Sequence, residues 1–229
     1  MTLNETSREL NEQQIKQEQH STIKKLYEPF VDVLTTEIRG IIHIGSNECD
    51  EYEVYTELFD LTNEQIVFID CLPSSEYADK HPQYQIIQAC LSSCSEQQTL
   101  HINNYAFTNG LLPVSIMNAS MLEKFENVAT VQVQTIPFDA LLRNEIVKEF
   151  NLLVVTTNGT EKQVLQGATN TLKEHIDYVM VTVSKLPLFE GQNTEEDVTT
   201  FLSTLHFTMV KRETQGCMNR ILYAKNGKK

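Results

Sequence analysis

Two residues at the ends of predicted strands have the types and spacing of a nucleoside-binding site. Gly45 ends a short apolar run, and Asp70 ends a second run 25 positions later. A glycine lets the backbone approach a ligand closely, and a carboxylate accepts hydrogen bonds from ribose hydroxyls. In an open α/β sheet, ligands bind outside the carboxyl ends of the strands. The pair therefore predicts a domain that binds a nucleoside cofactor.

The residues around Gly45 narrow the choice of cofactor. The chain continues with Ser46 and Asn47 and lacks the G-x-G-x-x-G pattern that seats a dinucleotide pyrophosphate on a helix N-terminus. It also lacks a G-x-x-x-x-G-K-[ST] phosphate loop. S-adenosylmethionine has no phosphate and needs one close backbone approach, an acid for its ribose and a slot for adenine. Gly45 and Asp70 meet that need, and the alternative for Gly45 is an ordinary strand-ending turn.

Alternating strand and helix patterns must position these residues. Apolar runs predict strands, and segments with helical spacing separate them. The run at 151–157 is apolar nearly throughout, which is typical of a central parallel strand. The order predicts an α/β fold with a mostly parallel sheet and helices on both faces. Strands are predicted at 41–45, 66–70, 84–89, 97–103, 131–136, 151–157, 178–183, 207–210 and 220–224, and helices at 51–60, after Pro73, at 137–142, 161–173 and 194–205.

The first 35 residues form a separate predicted segment, a polar arm followed by a helix. Residues 1–20 are rich in Glu, Gln and Asn, and apolar side chains between Ile23 and Leu34 fall at helical spacing. Pro29 lies inside this pattern and predicts a kink or a break. The helix is a candidate surface for a homodimer or an assembly partner.

The composition argues against several classes of function. The net charge is −13, which disfavours broad electrostatic binding to nucleic acid or to an anionic membrane. The N-terminus has no apolar signal segment, and no stretch has the length of a membrane span. Five scattered cysteines fit free thiols in a reducing compartment better than a zinc site. We expect a cytoplasmic protein without nucleic-acid or membrane partners.

Several segments together resemble one family, the FkbM-type S-adenosylmethionine-dependent O-methyltransferases. Residues 43–47, His-Ile-Gly-Ser-Asn, are similar to the family's Asp-Ile-Gly-Ala-Asn. Residues 68–73 are similar to its Phe-Glu-Pro region, 89–92 to Ala-Leu-Ser-Asp, 115–117 to Ser-Ser-Leu, and 135–142 to Thr-Leu-Asp-Asp-Leu. The most specific segment is 151–168, which resembles Asp-Leu-Leu-Lys-Ile-Asp-Val-Glu-Gly-Ala-Glu followed by Val-Leu-Lys-Gly-Ala.

The resemblance implies a class I S-adenosylmethionine methyltransferase fold. Residues 36–229 would form this Rossmann-like domain, with an antiparallel strand within 207–224. The implied cofactor is S-adenosylmethionine, and the implied acceptor is a hydroxyl on a sugar or a glycosylated product. The implied cofactor-binding residues are Gly45, Ser46, Asn47, Asp70, Cys71, Ala89, Leu91 and Ser92.

The departures from the family pattern fall on residues that carry chemistry. Thr156 and Asn158 replace an Asp and a Glu, Thr182 replaces a Glu in the next strand, and His43 replaces the opening Asp. Glu161 retains the last acid of the family pattern. A carboxylate can take a proton from a hydroxyl or bind a hard cation, whereas threonine and asparagine are poor bases. These five are the candidate catalytic positions, and we predict no metal ligands.

Three hypotheses remain open. The first is an active O-methyltransferase with a rearranged site, because methyl transfer from a sulfonium depends largely on positioning. The second is a catalytically inactive pseudoenzyme that serves as a binding, structural or assembly module. The third is a sensor that binds S-adenosylmethionine without catalysis. For the first, the candidate bases are His43, Glu48, Asp50, Asp70, His101 and Glu161.

Overall fold

The computed structural model of the chain describes residues 3–72, 81–115, 126–141 and 149–227, with side chains from residue 14 onward. The strands are β1 (Ile41–Ile44), β2 (Ile66–Asp70), β3 (Gln85–Gln88), β4 (Cys90–Leu91), β5 (Gln97–Asn103), β6 (Asn127–Ile136), β7 (Leu152–Val155), β8 (Tyr178–Ser184), β9 (Phe207–Gln215) and β10 (Met218–Lys225). The helices are α1 (Leu3–Val31), α2 (Tyr52–Phe59), α3 (Phe138–Leu141), α4 (Glu161–Gly167), α5 (Thr169–Glu174) and α6 (Glu195–Thr204).

The main sheet confirms the predicted α/β architecture. Its seven described strands follow the order β3-β2-β1-β7-β8-β10-β9. The first five pair in parallel, and β1 lies at their centre between β2 and β7. The last strand, β10, is antiparallel to both β8 and β9, as predicted for the C-terminal region. The carboxyl ends of β1, β2 and β7 therefore meet at one edge of the sheet.

A smaller sheet lies beside the main one. It contains β4, β6 and β5, with β6 parallel to β4 and antiparallel to β5. The alternating patterns predicted the strands at 97–103 and 131–136, and β6 begins four residues earlier, at Asn127. Backbone hydrogen bonds between His101 and Gly110, at 2.8 and 3.2 Å, fold the loop after β5 back onto this sheet.

The two faces of the main sheet bury separate apolar clusters. Ile42 and Ile44 point to one face, where they pack with residues of α4, α5 and α6. Ile41 points to the other face, where Tyr27 of α1 and Tyr55 of α2 are buried. This alternation follows from the two-residue period of a strand. Burying each large apolar side chain contributes roughly 1.5–3 kcal/mol, so both helical layers stabilise the sheet.

Several predicted boundaries are corrected. Helix α1 continues past Pro29 and ends at Val31, so the proline lies in the final turn. The helix predicted at 161–173 is two helices, because Ala168 has φ −107° and ψ 18°, outside the helical region. The helix predicted after Pro73, the residues after Ser115 and the end of the helix at 137–142 lie outside the described residues. Within those residues, no helix is long and apolar enough to span a membrane.

Candidate active site

A cavity of about 260 Å³ opens at the carboxyl ends of β1, β2 and β7. This is where ligands bind in open α/β sheets. Its size is close to the lower end of the range for small-molecule sites. The wall is formed by residues 44–47, 50–51, 69–72, 89–91, 100, 106–107, 109–111, 156–158 and 160.

The loop after β1 is shaped by its backbone. Gly45, Asn47 and Cys49 have φ values of 81°, 49° and 57°, which lie in the left-handed region. A Cβ atom on Gly45 would lie 1.9 Å from the carbonyl oxygen of Thr156. Glycine is therefore required because β1 and β7 approach closely at their ends. The sequence predicted close approach to a ligand, and the structure adds a nearer constraint from the protein itself.

Asp70 connects two loops of the cavity. Its Oδ2 accepts a hydrogen bond from the Asn47 N–H at 2.9 Å, and its Oδ1 accepts one from the Leu72 N–H at 2.8 Å. Each carboxylate oxygen has two acceptor sites, so one site per oxygen is left for a ligand. Asp70 thus ties together the loops after β1 and β2, and its carboxylate still lines the cavity.

The charged side chains that line the cavity are acidic. Asp50, Glu51 and Asp70 lie in its wall, and the described lining includes no lysine, arginine or histidine. Burial raises the pKa of Glu51, and burial together with the charge of Glu51 raises the pKa of Asp50. The cavity therefore presents negative charge to a ligand.

Two threonines and an arginine form a hydrogen-bonded group beside the cavity; of these three, Thr156 lies in the cavity wall and Thr182 lines a small neighbouring void. The Thr156 hydroxyl donates to Thr182 Oγ1 at 3.3 Å, and the Arg220 Nε–H donates to the same oxygen at 3.4 Å. The Arg220 guanidinium also lies over the ring of Tyr27, 4.4 Å from its centroid. Threonine hydroxyls therefore occupy positions 156 and 182, where the family pattern carries carboxylates, and Arg220 contacts one of them.

Comparison with known proteins agrees with this geometry. A family model described as the methyltransferase FkbM domain matches residues 43–209, which is most of the chain. The chain belongs to the FkbM methyltransferase family. No curated protein sequence matches it.

Solved structures that resemble this chain are distant in sequence. The FkbM methyltransferase of Methylobacillus flagellatus KT superposes with a TM-score of 0.51 at 10% identity, covering 82% of this chain and 43% of that one. An S-adenosylmethionine-dependent methyltransferase of Clostridium acetobutylicum ATCC 824 gives 0.49 at 9% identity, covering 92% of each chain. This FkbM chain thus spans less than half the length of the solved FkbM structure, and the likeness is one of fold.

Seven of the eight predicted cofactor-binding residues line the cavity: Gly45, Ser46, Asn47, Asp70, Cys71, Ala89 and Leu91. Ser92 lies outside the wall. It is buried, and its carbonyl oxygen would lie 2.1 Å from a Cβ atom on Gly167. The main chain of Ser92 therefore packs against the end of α4.

His43 lies beneath the cavity on the face of the sheet covered by α1 and α2. It is 1% exposed, and its Nδ1 lies 3.1 Å from the Tyr55 hydroxyl. Burial, and to a lesser extent the positive charge of Arg220, lower the pKa of His43 to about 3. The ring is therefore neutral near pH 7 and enclosed by aromatic side chains. This geometry does not support the predicted catalytic role of His43.

Asn158 and Glu161 organise the loop after β7. Asn158 has φ 54°, and its Nδ2 donates to the carbonyl oxygens of Phe107 and Asn109 at 3.0 and 2.9 Å. It thereby holds residues 106–110 over the cavity. Glu161 Oε1 accepts from the Thr157 and Gly159 N–H groups at 3.0 and 3.1 Å. Its carboxylate lies outside the main cavity, in a small neighbouring void.

Two features of the site had only weak signals in the sequence. Arg220 interrupts the apolar residues of the last strand, but its position beside Thr182 depends on the antiparallel register of β10 and β8. From the sequence alone, Glu51 is expected to be one of several solvated acids at the start of a helix. In the structure, Glu51 Oε1 accepts a hydrogen bond from the Tyr27 hydroxyl at 3.3 Å. Among the described residues, no group of three or more metal-ligating side chains is present.

Proposed function

We propose that this FkbM-family chain binds S-adenosylmethionine in the cavity and methylates a hydroxyl of a sugar or a glycosylated product. The charge of the cavity carries this proposal. Asp50, Glu51 and Asp70 line it without a described basic side chain. S-adenosylmethionine carries a sulfonium and an ammonium group, which opposite charges attract.

The cavity wall offers partners for the ribose, the adenine and the positive groups of this cofactor. Asp70 has free acceptor sites for the ribose hydroxyls. Leu91 and Leu100, with Ala89, supply an apolar slot for adenine. The acidic residues at 50 and 51 suit the positive groups. Bound there, S-adenosylmethionine supplies an electrophilic methyl group.

The proton of the acceptor hydroxyl needs a base that the threonines do not provide. Glu51 and Asp50 line the cavity, and the pKa of each is raised, mainly by burial. A carboxylate with a raised pKa is a stronger base than an exposed one and acts closer to neutral pH. We assign the proton-accepting role to Glu51, whose position is fixed by the Tyr27 hydroxyl.

A second candidate function is a module that keeps the fold without catalysis. Two hydrogen bonds favour it, from Thr156 and from Arg220 to the Thr182 hydroxyl. Through them these polar side chains are paired with one another and not with a substrate. In that case the protein binds a cofactor or a partner but transfers no methyl group.

Calorimetric titration with S-adenosylmethionine and S-adenosylhomocysteine tests the cofactor proposal. We expect both to bind the wild-type chain and Asp70→Asn to weaken binding about tenfold or more, because the amide loses an acceptor site. Asp60→Asn is the matched control, since Asp60 is exposed at the end of α2. Absence of binding at millimolar ligand would reject the proposal.

A methylation screen on sugar acceptors then separates the two candidate functions. Methyl transfer that Glu51→Gln reduces at saturating S-adenosylmethionine supports the methyltransferase, because saturation removes any effect of weaker cofactor binding. Tight cofactor binding with no transfer to any acceptor favours the non-catalytic module.

A further inference from the structure

Two of the five cysteines face the same cavity. Cys71 follows Asp70 at the end of β2, and Cys90 begins β4. Strands β2 and β3 are parallel neighbours with Asp70 opposite Gln88, and the Ala89 N–H donates to the Asp70 carbonyl at 2.9 Å. The ends of these strands therefore hold the two cysteines beside each other in the cavity wall.

The two cysteines are neighbours in space. Cys71 and Cys90 directly follow Asp70 and Ala89, which are joined by a backbone hydrogen bond, and the two thiols are close enough to form a hydrogen bond with each other. A disulfide bond requires two sulfur atoms that are brought together in this way. Both cysteines are free thiols. Little backbone movement is needed to join them.

The two thiols also differ in acidity. They interact as a hydrogen-bonded pair, which raises the pKa of Cys71 and lowers the pKa of Cys90. A thiolate, rather than a thiol, is the nucleophile in oxidation. Cys90 thus has the character of an attacking residue, and Cys71 that of a resolving one. By contrast, burial raises the pKa of Cys49 to about 12.

We propose that Cys71 and Cys90 are an oxidation site, joined by a reversible disulfide when the protein meets a peroxide, and that the disulfide restricts the cofactor cavity. The bond would tie residues 71–72 to the neighbouring residues 89–91 in the cavity wall, so that this part of the wall no longer adjusts around a bound adenine. The restriction of the cavity rests on the proposed binding of S-adenosylmethionine.

Hydrogen peroxide is the oxidant in the proposed reaction. The Cys90 thiolate attacks one peroxide oxygen, the O–O bond breaks, and the products are a sulfenic acid and hydroxide, which takes up a proton to give water. The Cys71 sulfur, on losing its proton, attacks the sulfenic sulfur and displaces hydroxide. That hydroxide takes the proton to form a second water. Two thiols have then lost two electrons and two protons, and one peroxide has become two waters.

Peptide mapping by mass spectrometry tests the disulfide directly. We expect peroxide to remove two hydrogens from the full chain and to give a peptide that links positions 71 and 90, and dithiothreitol to reverse both changes. Cys71→Ser and Cys90→Ser should abolish the link. Cys94→Ser is the matched control, because Cys94 is exposed and lies outside the cavity wall. No link, a link from Cys90 to Cys94, or sulfinic acid at Cys90 in place of the link would overturn the proposal.

A second titration tests the effect on the cavity. We expect oxidised wild-type protein to bind S-adenosylhomocysteine at least about fivefold more weakly than reduced protein, and oxidised Cys71→Ser to bind like reduced Cys71→Ser. Equal affinities of oxidised and reduced wild type would overturn the restriction of the cavity. If the reduced protein does not bind at all, the proposed function and this restriction both fail, and the peptide map alone decides whether the disulfide forms.

Discussion

The two ends of the candidate active site are built in different ways. The cofactor end uses backbone groups, since left-handed residues after β1 turn the chain and backbone N–H groups fix Asp70. The reacting end uses side chains, because the Thr182 hydroxyl oxygen accepts hydrogen bonds from Thr156 and from Arg220. Backbone geometry tolerates many side-chain changes, whereas a side-chain site changes its chemistry with each substitution. This difference explains how the cofactor end keeps most of the family pattern while the reacting end departs from it.

Gly45→Ala should have the largest effect. The new Cβ atom would lie 1.9 Å from the Thr156 carbonyl oxygen, in a residue with φ 81°. We expect a loss of roughly 3 kcal/mol or more in the free energy of unfolding, measured in urea. Gly191→Ala is the control, because Gly191 also has positive φ but open space around it, and it should cost only about 1–2 kcal/mol. Equal losses for the two variants would show that the strand ends do not constrain Gly45.

His43 should make stability depend on pH. Its folded pKa is about 3, well below its ordinary value of 6.5, so the unfolded chain binds more protons between these pH values. Stability should therefore fall as pH decreases below about 6.5, by up to about 1.4 kcal/mol per pH unit. Raised pKa values at Glu51 and Glu161 act in the opposite direction. The contribution of His43 is therefore measured as the difference in stability between wild type and His43→Gln.

The measurement for His43 is urea unfolding of wild type and His43→Gln between pH 7 and pH 4.5. The difference in stability between the two proteins should shift in favour of His43→Gln as pH falls. His206→Asn is the control, because His206 is exposed with a φ of 65° that asparagine tolerates. A constant difference between wild type and His43→Gln would contradict the low pKa.

Arg220→Met should destabilise the reacting end through Glu51. The charge of Arg220 lowers the pKa of Glu51, against the larger effect of burial, and its guanidinium stacks on Tyr27. Both charged groups keep partial exposure, so we expect a loss of about 1–2 kcal/mol. The double variant Glu51→Gln/Arg220→Met should recover part of this loss in urea unfolding. Strictly additive effects would show that Arg220 and Glu51 do not interact.

Asn158→Gly should have the smallest effect on stability and act on the cavity. Glycine suits the φ of 54° but removes the two hydrogen bonds to Phe107 and Asn109. We expect faster amide exchange across residues 106–110 and a loss of about 1 kcal/mol. Asp60→Gly is the control, because Asp60 has the same φ of 54° in an exposed position. Unchanged exchange in Asn158→Gly would mean that the loop is held by other contacts.

The sequence was sufficient to predict the parallel core because its signals are local. The apolar runs that end at Gly45 and Asp70 predicted β1 and β2, and the run at 151–157 predicted β7. Consecutive parallel strands place their carboxyl ends at one edge, so most predicted cofactor-binding residues do line one cavity. Only Ser92 lies elsewhere, since its main chain packs against the end of α4.

The reacting end was less predictable because its contacts are non-local. The neighbours Thr182 and Arg220 are 38 positions apart, and the contact between them depends on the register of β10. Whether His43 faces the cavity or the core depends on the phase of a four-residue strand that is buried throughout. A continuous apolar run carries no alternation from which to read that phase.

The central claim is that the cofactor end is intact and independent of the altered reacting end. The most direct measurement is calorimetric titration of S-adenosylhomocysteine into wild type, Asp70→Asn and Thr182→Val. We predict binding to wild type, affinity within about twofold for Thr182→Val, and a loss of about tenfold or more for Asp70→Asn. No binding to wild type, or an equal loss in Thr182→Val and Asp70→Asn, would contradict this account.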